Sequence, residues 1–216
     1  MTPIAELRGN VDQEVFDFQV LTDVLRRYRK PADRTARMVD DGDIVRVRKG
    51  IYVFGAPFWR QAIVREQLAN LIYGPSYVSL DSALSYYGLI PERVDAVTSV
   101  TTGRSREFET SFGSFTYHSL ARNRYSTGVT LVTTGIVSFL MATPEKALAD
   151  KVWTDKRLRG DMNEFEDYLL VDLRLDLSGL TELDPARLRD IDTSYNSRKV
   201  SNLVRHITKL MGQHHE

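Results

Sequence analysis

The chain has 216 residues, 42% hydrophobic and 27% charged, and its 29 basic and 29 acidic side chains leave no net charge. That is the make-up of a folded globular protein long enough for two domains, and it excludes a disordered or fibrous chain. The absence of cysteine rules out disulfides, thiolate metal sites and cysteine nucleophiles, and no apolar run approaches the length that spans a bilayer.

In chain order, Met1 to Arg8 lacks the apolar core of a signal peptide, so a cytoplasmic location and no membrane partner are expected. Pro3 to Arg8 predicts a short first helix, Val15 to Phe18 an extended segment, and Val20, Leu21, Val24 and Leu25 the apolar stripe of a second helix. A third helix starts at Pro31, whose missing N–H is not needed in a first turn. Ala32, Ala36, Met38 and Val39 give it an apolar side, and Gly42 stops it. Ile44 to Phe54 predicts a hairpin turning at Lys49-Gly50, with Val45 and Val47 on one face and Arg46 and Arg48 on the other. Gly55-Ala56-Pro57 then breaks the pattern.

Beyond that break, Phe58 to Ile72 is predicted helical up to Gly74-Pro75, and Ser79 is a candidate cap for a helix ending at Gly88. Strands follow at Ala96–Thr102, Glu107–Thr110, Ser114–His118, Thr130–Thr134 and Ile136–Met141, which predict a mostly antiparallel sheet. Thr143-Pro144-Glu145 opens a helix with a capping threonine and an acidic first turn. Asp161–Asp172, a segment from Asp184-Pro185 and Ser194–Met211 make the last third helical. The fold class is therefore α+β. Residues 1–56 are expected to form a winged helix-turn-helix and 57–216 a larger unit, with its sheet at about 96–141 and its helices at about 144–211.

From Arg26 to Arg60, ten cations stand against four aspartates, leaving +6 in a chain of zero net charge. Such an excess on a helix and hairpin is the footprint of a protein that binds a phosphate backbone. The candidate DNA contacts are Lys30, Arg34, Thr35 and Arg37 on and before the third helix, and Arg46, Arg48 and Lys49 on the hairpin. Arg104 and Arg106, after a threonine-rich strand, extend the same surface. Of the tyrosines at 73, 77, 86, 87 and 117, core packing with a satisfied hydroxyl is the expected use, ahead of base stacking.

Other chemistry finds little support. His118 ends a strand, His206 lies on the last helix, and His214 and His215 fall in a terminus expected to fray. No His-x-x-x-His or Glu-x-x-His pair, P-loop or dinucleotide fingerprint occurs. Glu145, Lys146, Asp150 and Lys151 have the residue types of a metal-dependent nuclease, but their place at a helix start favours a dipole partner in Glu145 and an i,i+4 surface pair in Lys146 and Asp150. No catalytic residue, metal or cofactor is expected.

Tyr77-Val-Ser-Leu-Asp-Ser-Ala-Leu-Ser-Tyr-Tyr-Gly-Leu-Ile-Pro-Glu92, Val97-Thr-Ser-Val-Thr-Thr102, Phe115-Thr-Tyr117 and Thr143-Pro-Glu-Lys-Ala-Leu-Ala-Asp150 together resemble the AbiEi family. The resemblance runs from the wing to about Asp150. These are antitoxins of type IV toxin–antitoxin systems linked to abortive phage infection. The resemblance implies an N-terminal winged helix-turn-helix that represses its own operon at inverted repeats in double-stranded DNA. It also implies a C-terminal antitoxin domain opposing a nucleotidyltransferase-like toxin. The chain itself lacks that enzyme's signature, since Gly113-Ser114 is followed by no aspartate before Asp150. The alternatives are a metal-dependent nucleic-acid-processing enzyme using Glu145 and Asp150, and a winged-helix module that docks only protein.

Overall fold

The structure is a computed structural model and describes residues 2–92, 94–162 and 164–213, apart from the side chains of Leu177 and Gln213. His214 and His215 lie outside the described residues. Helix α1 (Pro3–Asn10) starts under Thr2, whose hydroxyl accepts from the Ala5 N–H at 3.4 Å. Strand β1 (Val15–Asp17) ends at Asp17, which caps α2 (Phe18–Leu25) by accepting from the Val20 N–H at 2.9 Å. Helix α3 (Pro31–Asp40) has its proline at the first turn, as the sequence predicts, but it buries only Met38 fully, while Ala32 and Ala36 are exposed.

Strands β2 (Ile44–Arg48) and β3 (Ile51–Phe54) form the predicted hairpin, with Gly50 at φ +87° in its turn. With β1 they make an antiparallel sheet in the order β1-β3-β2. Gly55 follows with no room for a side chain: a Cβ there would lie 1.9 Å from the Gly42 carbonyl oxygen. Its N–H donates to the Asp43 carbonyl at 2.7 Å; the strand ends here as expected, with Gly55 buried and Ala56 and Pro57 exposed.

The next helix is shorter than the sequence predicts. After a 3-10 turn at Ala56–Phe58, residues 59–64 are irregular and α4 spans only Arg65–Ile72. Trp59 donates its indole N–H to the Phe54 carbonyl at 2.6 Å, and β-branched Ile63 and extended Val64 delay the helix. Strand β4 (Ser76–Val78), α5 (Leu80–Tyr86), β5 (Val97–Thr101), β6 (Arg106–Thr110), β7 (Gly113–Ser119), α6 (Arg122–Tyr125), β8 (Val129–Thr134) and β9 (Val137–Ala142) follow. Then come α7 (Pro144–Thr154), α8 (Glu164–Asp167) running into a π-helical turn at Tyr168–Asp172, α9 (Leu177–Thr181), α10 (Pro185–Tyr195) and α11 (Arg198–Gln213). Among the described residues, no helix is long and apolar enough to cross a membrane.

The second sheet runs β6-β7-β5-β4-β9-β8 and is mixed: three of its five pairings are antiparallel, as expected of a mostly antiparallel sheet, while β4 pairs β9, and β5 pairs β7, in parallel. Parallel neighbours need crossover connections, which α5, α6 and the intervening strands supply here. The architecture is thus α+β, with one antiparallel and one mixed sheet.

The apolar interior falls into two clusters that meet across the three-stranded sheet. Phe16, Ile44, Tyr52 and Phe54 face α1, α2 and α3. Val15 and Val53, with Val47 and Ile51 packed alongside, belong instead to the large cluster of the mixed sheet and the C-terminal helices. Alternation along each strand sends neighbouring side chains to opposite faces, so this small sheet is a wall between two cores.

Candidate nucleic-acid interface

The turn between α2 and α3 is Arg26-Arg27-Tyr28-Arg29-Lys30. With α3 it shapes a shallow groove of about 230 Å³ lined by Tyr28, Arg29, Lys30, Asp33, Arg34 and Arg37, four cations to one carboxylate. Tyr28 organises part of it. The Arg34 guanidinium lies 5.1 Å from the Tyr28 ring centroid and that of Arg27 5.3 Å, each a cation held over a π face. Arg27 also pairs with Glu6, and the Tyr28 hydroxyl, foremost among its neighbours, holds its pKa above the ordinary value. Lys30 stands 3.7 Å from Asp33 in an exposed pair that water screens. Arg37 is exposed on the outer face of α3 beside Asp33 and Asp40. Thr35 is half-buried, and its hydroxyl donates to the Pro31 carbonyl at 3.0 Å, so that donor is already engaged.

Arg46, Arg48 and Lys49 are all exposed on the hairpin, but Arg48 lies on a face that strand alternation does not predict. Arg46 pairs with Tyr52 and Arg48 with Ile51, so Val47 is an extra residue in β2 and the register shifts there. A one-residue bulge turns the following side chain to the other face of the sheet. Arg48 consequently leaves the α3 side, donates from Nη1 to the Ile72 carbonyl at the end of α4, and lies 4.6 Å from the Phe108 and 6.0 Å from the Tyr73 ring centroids. The expectation that Arg48 shares a face with Arg46 is corrected accordingly, while the residue itself is exposed as expected.

Arg104 and Arg106 are exposed at the start of β6, the strand that carries Phe108. Gly103, just before them, packs against Tyr73 so closely that a Cβ would lie 2.7 Å from the tyrosine hydroxyl. The fold therefore brings the 103–108 segment against the base of the hairpin across fifty residues of sequence. Among the described residues, Arg26, Arg29, Arg34, Arg37, Arg46, Arg48, Lys49, Arg104 and Arg106 form no ion pair.

The residues singled out for metal chemistry have a different place. Lys146 and Asp150 are no surface pair: both side chains are 0% exposed, 3.2 Å apart. Asp150 accepts from the Tyr77 hydroxyl at 3.0 Å, the Ser79 hydroxyl at 2.7 Å and the Tyr195 hydroxyl, while Lys146 donates to the Arg124 carbonyl at 2.6 Å. Ser79 thus spends its hydroxyl on Asp150 and makes no helix-cap bond. Burial pushes the Lys146 ammonium below the usual lysine range, with Asp150 pulling the other way. It pushes the Tyr77 and Tyr195 phenols far upward, and so keeps them protonated as donors. Glu145 is also buried and accepts from the Asp184 N–H at 2.8 Å. This network ties β4, α7, α10 and α6 together, and its carboxylates are buried.

Of the other tyrosines, Tyr117 donates to the Ala69 carbonyl at 2.7 Å within the core, while Tyr86 is exposed. A second cleft of about 420 Å³, with Asp81, Glu92, Asp95 and Asp172 against Lys151 and Arg157, is acidic and suits no polyanion. No family model and no curated protein matches the chain.

Proposed function

We propose that the chain binds double-stranded DNA as a repressor of its own operon, in the cytoplasm, and serves as the antitoxin to a nucleotidyltransferase-like toxin. The observation that carries the DNA half is the groove of Arg29, Lys30, Arg34 and Arg37 at the start of α3. In a helix-turn-helix it is the N-terminal part of the second helix that meets base edges. On this reading α2 and α3 are that pair, and β2 and β3 are the wing. Helix N-termini favour anions, no side chain caps α3 at Lys30, and the neighbouring cations neutralise phosphate. The antitoxin half rests on the resemblance of residues 77–150 to AbiEi proteins. On this reading the chain is a binding module, and the burial of Glu145 and Asp150 counts against the metal-dependent enzyme that would use them.

Protection mapping on DNA upstream of the gene tests the reading, with inverted repeats as the expected footprint. Arg37→Ala should weaken specific binding by about 1–3 kcal/mol, while random-sequence DNA is affected much less. An equal loss on both would remove base reading by Arg37. Arg29→Ala and Lys30→Ala should each lower the logarithmic salt slope by about 0.9. A variant with Arg29, Arg34 and Arg37 all changed to alanine should lose repression yet still protect cells that carry the cognate toxin. Loss of protection in that folded variant would mean that both activities use one surface.

A further inference from the structure

Arg48, though exposed, makes contacts that neither solubility nor phosphate binding requires. The Val47 bulge turns this side chain, which stays exposed, to the mixed-sheet side, where its guanidinium sits at the C-terminal carbonyl of α4 and over Phe108 of β6. The last carbonyls of a helix lack intrahelical donors and carry the negative end of its dipole, so a cation there satisfies both needs. Arginine suits the place because its planar fork donates in the plane while its face stacks on a ring. One side chain therefore joins three elements: the wing hairpin, α4 and β6.

We propose that Arg48 is a positioning residue, a latch that fixes the hairpin to the mixed sheet so that Lys49 and the Arg104–Arg106 segment form one continuous cationic strip. The strip is inferred from neighbours already named. Lys49 is next to the latch, Gly103 packs on Tyr73 beneath it, and Arg106 is two residues, roughly 7 Å, from Phe108 along β6. Fixing these charges before binding spares the hairpin from being ordered by its ligand, which is the usual gain from preorganisation. The strip's use rests on the nucleic-acid reading above; the latch itself does not.

Two substitutions separate a latch from a phosphate contact. Arg48→Lys keeps the charge but loses the fork and the stacking. Phe108→Leu changes no charge at all. As a latch, both should lower affinity for a duplex about tenfold, with the salt slope unchanged because every phosphate contact can still form once the hairpin is reordered. Hydrogen exchange in the free protein should speed up at residues 49–51 and 72–74 in both variants, with the rest of the chain unaltered. Wild-type affinity in either variant, or unchanged exchange in both, overturns the latch. If the wild-type protein binds no duplex in a salt-dependent way, the nucleic-acid reading falls instead, and the exchange measurement then decides the latch by itself.

Discussion

Lys146 and Asp150 show how one spacing serves opposite ends. An i,i+4 pair of opposite charges on a helix is usually solvated and contributes a few tenths of a kcal/mol. Here it is sealed, and three hydroxyls complete the carboxylate's shell. Removing one member of a buried pair strands the other, at about 3–5 kcal/mol. Lys146→Met should therefore lower the unfolding free energy by that amount in a urea titration, while a variant of the exposed Lys30–Asp33 pair, 3.7 Å apart, moves it by less than about 1 kcal/mol. The sequence held one hint: Ala147, Leu148, Ala149 and Val152 leave α7 almost no polar face beyond these charges, and a helix apolar all round is a buried one. Arg48 held none, because a bulge is a register event and strict alternation is blind to it.

Among the elements, those announced by local chemistry were legible. Prolines at first helical turns mark α1, α3, α7 and α10, and glycines at φ +75°, +87° and +71° mark the turns at 42, 50 and 88. The sequence pattern places strands β5 to β9 to within a residue or so. It misses strand β4, because three wholly buried residues after Gly74-Pro75 show no alternation, and parallel partners are chosen by crossovers that leave no local mark. Strand β8 lies at the sheet edge in an eighteen-residue stretch, Thr127 to Pro144, without a single charge. Leu131, 63% exposed, stands opposite exposed Leu140 there. Edges are normally guarded by lysine, proline or a bulge. Leu131→Lys should thus reduce light scattering on mild heating and shift stability by no more than about 0.5 kcal/mol.

At the scale of the molecule, the two described histidines report on packing. Burial foremost pushes His118 and His206 below 6.5, with Lys151 adding to the effect at the first and Lys209 at the second. The unfolded chain then binds more protons than the folded one, so stability is whole above about pH 6.5 and is lost as pH falls through the depressed folded values. Urea midpoints at pH 7 and 5.5 should differ less in a His118→Asn, His206→Leu variant than in the wild type; an equal difference would assign the acid response elsewhere. A different consequence follows from the three-stranded sheet that faces both cores. If the chain is cut after Phe54, the released piece carries a bare sheet of Val15, Val47, Ile51 and Val53, each worth about 1.5–3 kcal/mol when fully covered. Residues 1–54 therefore cannot be transplanted from this protein by trimming alone. That face must first be rewritten in polar residues, and a protease nick after Phe54 would yield sticky debris in place of a free-standing domain.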